Sequence, residues 1–354
     1  MRHLQIQLAY SVMSKQPYSK VDNYEFNQDF SDNNSYIKQA GLKGFGLLKY
    51  QLKVWLAFRD ANRRLKQSIE KGKCYYGPFK GEFGHFTAHT LPFLMYLHKH
   101  GVKIIYCGME LHKPFMIDEK GNSIIHEFRP LRDFFTEVSP RANSTVPPKD
   151  VQDEIKKFES EASSSGFPFW NIGDDFYYWF VHRKWLLQNH THIYHIDKYY
   201  KTRDENACCI FPRSKGAAQS HNNGGQWDYV ALIDLIAPYF DKIYICGHPS
   251  QVKDLNTTNP KVEIAVSTDN KVTLQKTSNS RLIITQHSGV NNVGEYVNTQ
   301  VLIIYKGGTK VSDIGSMNNT LRFRKSLEDK YPLKFAFNEE EIVNFVKEHN
   351  QIKK

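Results

Sequence analysis

From Ala207 onward the chain alternates short apolar runs with longer amphipathic ones, and this alternation restricts the fold more than any other feature of the sequence. The run "ACCIF" leads through a loop into the helical "QWDYVALIDLIAPYF". Then come "KIYICG", "VEIAVS", "RLIITQ" and "QVLIIY", interleaved with helical or turn-rich segments. Parallel strands need a crossover between them, so five β segments separated in this way predict an open, doubly wound sheet. Ligands of such sheets bind beyond the carboxyl ends of the strands.

The first half carries the same unit once. "CYYGPF", the helical "LPFLMYLHKH" and "VKIIYCG" read as β-loop-α-β from Lys73 onward. Between Lys113 and Lys201 the pattern is less regular. "IIHEFRPLRDFFTEV" reads as strand then helix, "VQDEIKKFESEA" as a polar helix and "DDFYYWFVHRKWLLQNHTH" as an aromatic one. Ahead of the first strand, about forty residues rich in Asn, Asp, Tyr and Ser form an irregular arm. A helix through "GLLKYQLKVWLAFRDANRRLKQSIEK" follows, with Leu47, Leu48, Leu52, Trp55, Leu56, Phe58 and Leu65 on one face and its cations largely elsewhere. That helix can pack on its own domain or lie on an anionic membrane. The expected organisation is an arm and basic helix (1–72), a first α/β domain (73–200), a second, Rossmann-like domain (201–335) and a terminal helix (336–354).

Composition bounds the partners. Lys and Arg outnumber Asp and Glu by 47 to 37, a formal charge of +10, which suits an anionic ligand, nucleic acid or an acidic membrane surface. The five cysteines show no paired metal-ligand spacing and sit inside strand-like runs, as buried thiols of a reducing compartment do. No stretch of about 18 apolar residues occurs, so a cytoplasmic location is expected.

Two loops of the second half can hold phosphate. After "ACCIF", the stretch "PRSKGAAQSHNNGGQW" offers Arg213 and Lys215 with glycines ahead of a helix start; a flexible polar loop with incidental cations is the plainer reading. After "RLIIT", His287, Ser288, Gly289, Asn291 and Asn292 cover the turn into the next helix, where Gly289 permits close approach and Ser288 can meet a second phosphate. Glu295 follows, placed either to reach ribose hydroxyls or to face solvent on a helix. Two such loops on one sheet point to a diphosphate.

The segment 207–308, with "IFPRSK", "QWDYVALIDLI", "IYICGHPS" and "LIITQHSGVNNVGEYVNTQVLIIYKGG", resembles the donor-binding half of GT-B glycosyltransferases of the heptosyltransferase-like group. The opening "KGEFGHFTAHTLPFLMYLHKHGVKIIYCG" looks like the start of the acceptor half of that family. The resemblance implies an α/β, GT-B-like fold of two Rossmann-like domains facing a central cleft, with the irregular and helical N-terminal segment as an extension. It implies a nucleotide-sugar donor held at Arg213, Lys215, Ser288 and Gly289, and a catalytic base at Glu82. Glu stands here where the family commonly has Asp, and the spacing from Glu82 to Pro92 is longer than usual by about one helical turn.

The chemistry asks for the same residues. Sugar transfer needs a base for the acceptor hydroxyl and positive charge for the leaving diphosphate, with no metal or other cofactor required where cations and helix dipoles supply that charge. Glu82, between Gly81 and Gly84, is one candidate base; His85, with an ordinary pKa nearer neutrality, is the other. Glu82 can instead cap the helix that follows it. His85 with His89, and His190, His192 and His195, raise metal binding, but "HFTAH" lacks the Glu of the zinc motif and no D-x-D occurs in the chain. The expected partners are a nucleotide sugar, a surface glycan or lipid-linked acceptor, and peripherally an anionic membrane. Two rivals stay open: a transferase acting on modified bases in DNA, and a non-catalytic nucleotide- or glycan-binding protein.

Overall fold

The computed structural model describes residues 43–134, 137–138, 146–173, 190–212, 227–249, 252, 255–286, 288–305 and 334–352. Its frame is two sheets in which every pair of neighbouring strands is parallel. The first contains β1 (Lys73–Phe79), β2 (Lys103–Met109), β3 (Glu127–Leu131) and β4 (Phe169–Asn171), in the order β3-β2-β1-β4. The second contains β5 (Ala207–Phe211), β6 (Lys242–Gly247), β7 (Val262–Val266), β8 (Leu282–Thr285), β9 (Gln300–Ile304) and β10 (Lys334–Ala336). Its order, β10-β9-β8-β5-β6-β7, is the doubly wound order in which the chain reverses direction between the first and fourth strands of the sheet.

Period-2 side-chain alternation assigns each sheet two apolar faces. In the first sheet Tyr75, Ile105 and Cys107 point toward α3 (Lys149–Ser164), where they meet Val151, Ile155 and Phe158. The intervening Cys74, Tyr76, Ile104 and Tyr106 belong to the cluster on the opposite side. That cluster includes α2 (Leu91–Lys99) and α1 (Gly44–Lys71). In the second sheet Cys208, Ile210, Ile243, Ile284 and Leu302 pack with α4 (Tyr229–Ile236) and α6 (Glu339–Ile352). Cys209, Tyr244, Ile283 and Ile303 instead join the cluster that already holds the first sheet's inner face, together with Leu274 of α5 (Asn270–Asn279). The two halves therefore share one continuous apolar core. Polar bonds pin the shared region: Asn270 Nδ2 donates to the Leu111 carbonyl at 2.7 Å, and Tyr200 OH to that of Pro114 at 2.7 Å.

The architecture is the expected one of two doubly wound α/β units behind a helical N-terminal region. Two strands escaped the sequence reading, β4 and β10, each three residues long and too short to show a period. The expected boundary after residue 335 falls inside β10. The strand expected in "IIHEFRPLRDFFTEV" is β3, but Arg132 to Phe134 do not continue as helix. The helix expected in "VQDEIKKFESEA" is α3, while most of the aromatic segment, residues 174–189, lies outside the described residues.

The largest correction concerns α1. Its packed stripe is Tyr50, Val54, Phe58, Ala61, Leu65 and Ser68, and the leucines at 48, 52 and 56 are exposed. The helix is apolar on two sides, and periodicity alone does not say which side meets the protein. Small residues decide it: Ser68 Oγ accepts a hydrogen bond from the buried Trp170 Nε1 at 3.0 Å, and Ala61 is wholly buried. Phe58→Ala is accordingly expected to cost about 3–5 kcal/mol, whereas Leu52→Ala stays within about 0.5 kcal/mol of the parent protein; chemical denaturation of the two variants measures the difference.

Candidate functional site

Each sheet has a point at which successive connections leave in opposite directions, and the chain places its candidate residues at both. In the first sheet this point lies between β1 and β4, and β1 runs directly into Lys80, Gly81 and Glu82. In the second it lies between β5 and β8, whose last residues, Phe211 and Thr285, pair with each other. The loops expected to bind phosphate follow these two strand ends. Arg213, Lys215 and His287 lie outside the described residues.

Strand β1 reaches its end irregularly. Tyr76 pairs with Tyr106 but Phe79 pairs with Gly108, so β1 carries one extra residue and bulges between them. Beyond it, Glu82 has extended backbone angles and occupies the N-cap of a short helical turn, Phe83–His85. Its carbonyl receives the N–H groups of His85 and Phe86 at 3.0 and 3.1 Å, while its carboxylate makes no capping bond. The side chain is partly exposed and is not used to satisfy the helix end.

The helix then widens into a π turn, Phe86–Thr90, in which the Leu91 N–H bonds to the Phe86 carbonyl five residues back. Pro92 follows in the first turn of α2, where its ring would crowd the carbonyl four residues earlier in a regular helix. The wide turn removes that conflict.

The second loop begins with Ser288, whose hydroxyl accepts the Val290 N–H at 3.3 Å and so caps the turn Gly289–Asn292. The Thr285 hydroxyl donates to the Gln286 carbonyl at 3.0 Å, which leaves the Ser288 O–H to donate to Thr285 Oγ1 at 3.1 Å. Ser288 is thus engaged in shaping its own loop.

The two loops meet at a pair of glycines. A Cβ on Gly289 would lie 2.4 Å from both the Cα and the N of Gly84, and one on Gly84 would lie 3.0 Å from the Cα of Gly289. The close approach expected at Gly289 is therefore made to the backbone of the other half of the protein. Around this contact the Thr87 hydroxyl lies 3.1 Å from the Phe83 carbonyl oxygen and 3.2 Å from that of Gly289. Asn292 Nδ2 donates to the Gly289 carbonyl at 3.3 Å, and Tyr296 OH to the Thr87 carbonyl at 2.5 Å. Thr87, Asn292 and Tyr296 are all buried. Asn291 and Glu295 are buried as well, so the reading of Glu295 as a solvent-facing helix residue does not hold.

A second link joins the halves to one side. His248 Nε2, just after β6, lies 3.0 Å from Asp133 Oδ2, just after β3. Thr87, Tyr296, Asp133 and His248 were not singled out in the sequence. Only His248 had a usable signal, its place in "CGHPS" at a strand end.

The histidines divide by environment. His85 and His89 stack with ring centroids 5.5 Å apart, and His85 Nδ1 is screened from solvent. His98 bonds to Tyr194 at 2.9 Å and His190 to Tyr96 at 3.2 Å, and burial lowers the pKa of each. His195 Nδ1 lies 3.2 Å from the Glu295 carbonyl oxygen. Among the described residues no three His, Cys, Asp or Glu side chains converge as metal ligands. His112 is enclosed by Phe86, stacked at 4.0 Å, and by Phe79, and burial pushes its pKa from 6.5 down to about 3.

No family model matches this chain, and no curated protein matches it in sequence. Solved structures similar to it include E. coli heptosyltransferase WaaC with ADP-2-deoxy-2-fluoro heptose, at 11% identity over 80% of this chain and 99% of that one, with a TM-score of 0.45. E. coli ADP-heptose lps heptosyltransferase II gives 0.48 at 11% identity, over 79% and 99%. A family 9 glycosyl transferase from Veillonella parvula gives 0.45 at 12% identity, over 78% and 89%. These similarities are loose, and the reading of the site rests on its own residues.

Two outcomes follow from the geometry. Gly289→Ala forces backbone against backbone and is expected to destabilise the protein by about 1–3 kcal/mol, with a smaller loss for Gly84→Ala, whose added methyl meets a longer contact; thermal unfolding ranks the two. His112 is neutral when folded and has a folded pKa below its unfolded value, so its contribution is intact above about pH 6.5 and declines as pH falls from there toward 3. The gap in melting temperature between the parent protein and His112→Phe is expected to shift in favour of the variant between about pH 7.5 and pH 5.

Proposed function

We propose that the protein is a glycosyltransferase of the GT-B type that moves a sugar from a nucleotide-diphosphate donor to a hydroxyl of a glycan or lipid-linked glycan acceptor. The observation that carries this reading is the position of Glu82: a partly exposed carboxylate, released from helix capping, at the switch point of one sheet and two residues from the glycine that touches the switch-point loop of the other. A base and a diphosphate loop held that close by backbone contact match what direct displacement at an anomeric carbon requires.

In this reaction Glu82 takes the proton of the acceptor hydroxyl, the oxygen bonds to the anomeric carbon, and the bond from that carbon to the diphosphate breaks. Arg213 and Lys215 offer positive charge to the leaving diphosphate, and the N–H groups of the loop at Ser288 add to it. Direct attack of this kind inverts the anomeric centre. Asn291, in the capped turn, and Glu295, in the helical turn that follows it, are buried and complete the donor-side residues of this reading. His85 is the second candidate; its ring stacks on His89 and its Nδ1 is screened from solvent, which limits its access to an acceptor hydroxyl.

Thermal-shift titration with UDP, GDP, ADP, CDP and CMP tests the donor assignment. One nucleotide is expected to raise the melting temperature selectively, with or without added metal, and Arg213→Ala to abolish the shift. No response to any of them removes the transferase reading. With the donor identified, Glu82→Gln is expected to lower turnover by about 10²- to 10⁴-fold while the nucleotide shift persists. Turnover retained in Glu82→Gln and lost in His85→Gln would instead assign the base to His85.

A further inference from the structure

Helix α1 has two apolar faces, and the protein covers one of them. At about 100° per residue, the packed stripe of Tyr50, Val54, Phe58, Ala61 and Leu65 lies opposite a second stripe formed by Phe45, Leu48, Leu52 and Leu56. These four are 82%, 42%, 44% and 50% exposed. The outer stripe does not continue as leucine. One turn further on, the same face carries Arg59, Arg63 and Lys66, and Lys49 and Lys53 flank the apolar part. From Lys43 to Arg59 the segment holds Lys43, Lys49, Lys53 and Arg59 and no acid. The two acids of the helix are paired with its own cations, Asp60 with Arg63 and Arg64, and Glu70 with Lys66.

We propose that this outer face of α1 docks the protein on an anionic lipid bilayer, with Phe45, Leu48, Leu52 and Leu56 entering the boundary between headgroups and acyl chains and the cations resting on lipid phosphates. Three observations select this occupant. No described helix is long and apolar enough to cross a membrane, so contact of α1 with a bilayer would be along its surface. A strip of aromatic and leucine side chains bordered by Lys and Arg is complementary to a negatively charged apolar boundary. A second copy of the chain fits poorly, since in either orientation it sets Arg59, Arg63 and Lys66 against cations or leucines and supplies no unpaired acid to meet them. The proposal stands apart from the catalytic reading, because it uses no residue of either switch-point loop.

The test is flotation of the full chain with vesicles of phosphatidylcholine alone and with vesicles containing about a quarter phosphatidylglycerol. The bound fraction is expected to be at least about tenfold higher on the anionic vesicles and to fall steeply with added salt. The triple variant Leu48→Ser, Leu52→Ser, Leu56→Ser is expected to lose about tenfold in binding with an unchanged melting temperature, since these side chains are outside the core. Equal partitioning to both vesicle types, or a triple variant that binds as the parent does, overturns the proposal. So does a dimer in analytical ultracentrifugation that the triple variant converts to monomer, which would assign the face to a second copy. A marked drop in melting temperature of the triple variant also overturns it, by showing that another part of the chain covers the stripe.

Discussion

The contact between Gly84 and Gly289 is the constraint on which the site depends. A Cβ on either residue would collide with, or press hard against, the other's main chain, so the two loops are as close as backbones can come. Each glycine lies in a short helical turn that follows a strand end at a switch point, and the two strands belong to different sheets. The contact of the glycines aligns the two crevices. Backbone contact of this kind has no rotamers to average over, and the separation between Glu82 and the Ser288 loop is set by main-chain geometry.

Polar bonds fix the register of that contact and apolar burial stabilises it. Thr87 and Tyr296 bridge the halves, Asn292 braces the Gly289 carbonyl from within its own loop, and each carries a hydrogen-bonding group that would be costly to bury without a partner. The shared cluster around Phe115, Tyr200, Leu274 and Tyr296 supplies the area, and its rings include Phe115 against Tyr296 at 6.4 Å between centroids. The sheet alternation makes this arrangement possible. One face of the second sheet closes on α4 and α6, which leaves the other, with Cys209, Tyr244 and Ile283, for the first half to join.

The strands were legible because buried parallel strands read as unbroken apolar runs bounded by glycine and polar residues, and "KIIYCG", "ACCIF" and "KIYICG" are β2, β5 and β6. β4 and β10 were not, since three residues carry no period and each is defined by the partner it pairs with. Glu82 could be picked out from its glycine-flanked position between a strand and a helix. Thr87 and Tyr296 could not, because nothing local marks a buried threonine on one helix and a tyrosine on another as partners. Asp133 and His248 fall in the same class: their pairing is a property of two sheets facing each other. The outer stripe of α1 shows the opposite failure. Its leucines were visible, but a helix with two apolar sides contains no sequence signal for which side is inward, and the decision rests on Ala61, Ser68 and the distant Trp170.

The commitments of the second loop narrow how a diphosphate would be held. Ser288 uses its oxygen to cap the Val290 N–H and its proton to reach Thr285, and Gly289 lies against Gly84. Asn292 is spent on the Gly289 carbonyl. These neutral groups are structural first, and a short helical turn contributes only a small dipole. The proposed mechanism assigns the charge that a departing diphosphate requires to Arg213 and Lys215, which follow β5 in the sequence. Under the proposed mechanism the two loops divide the labour: the loop after β8 sets the geometry between the halves, and the loop after β5 neutralises the leaving group. A substitution in the first would disturb stability and turnover together, and a charge removal in the second would reach turnover while leaving the fold intact.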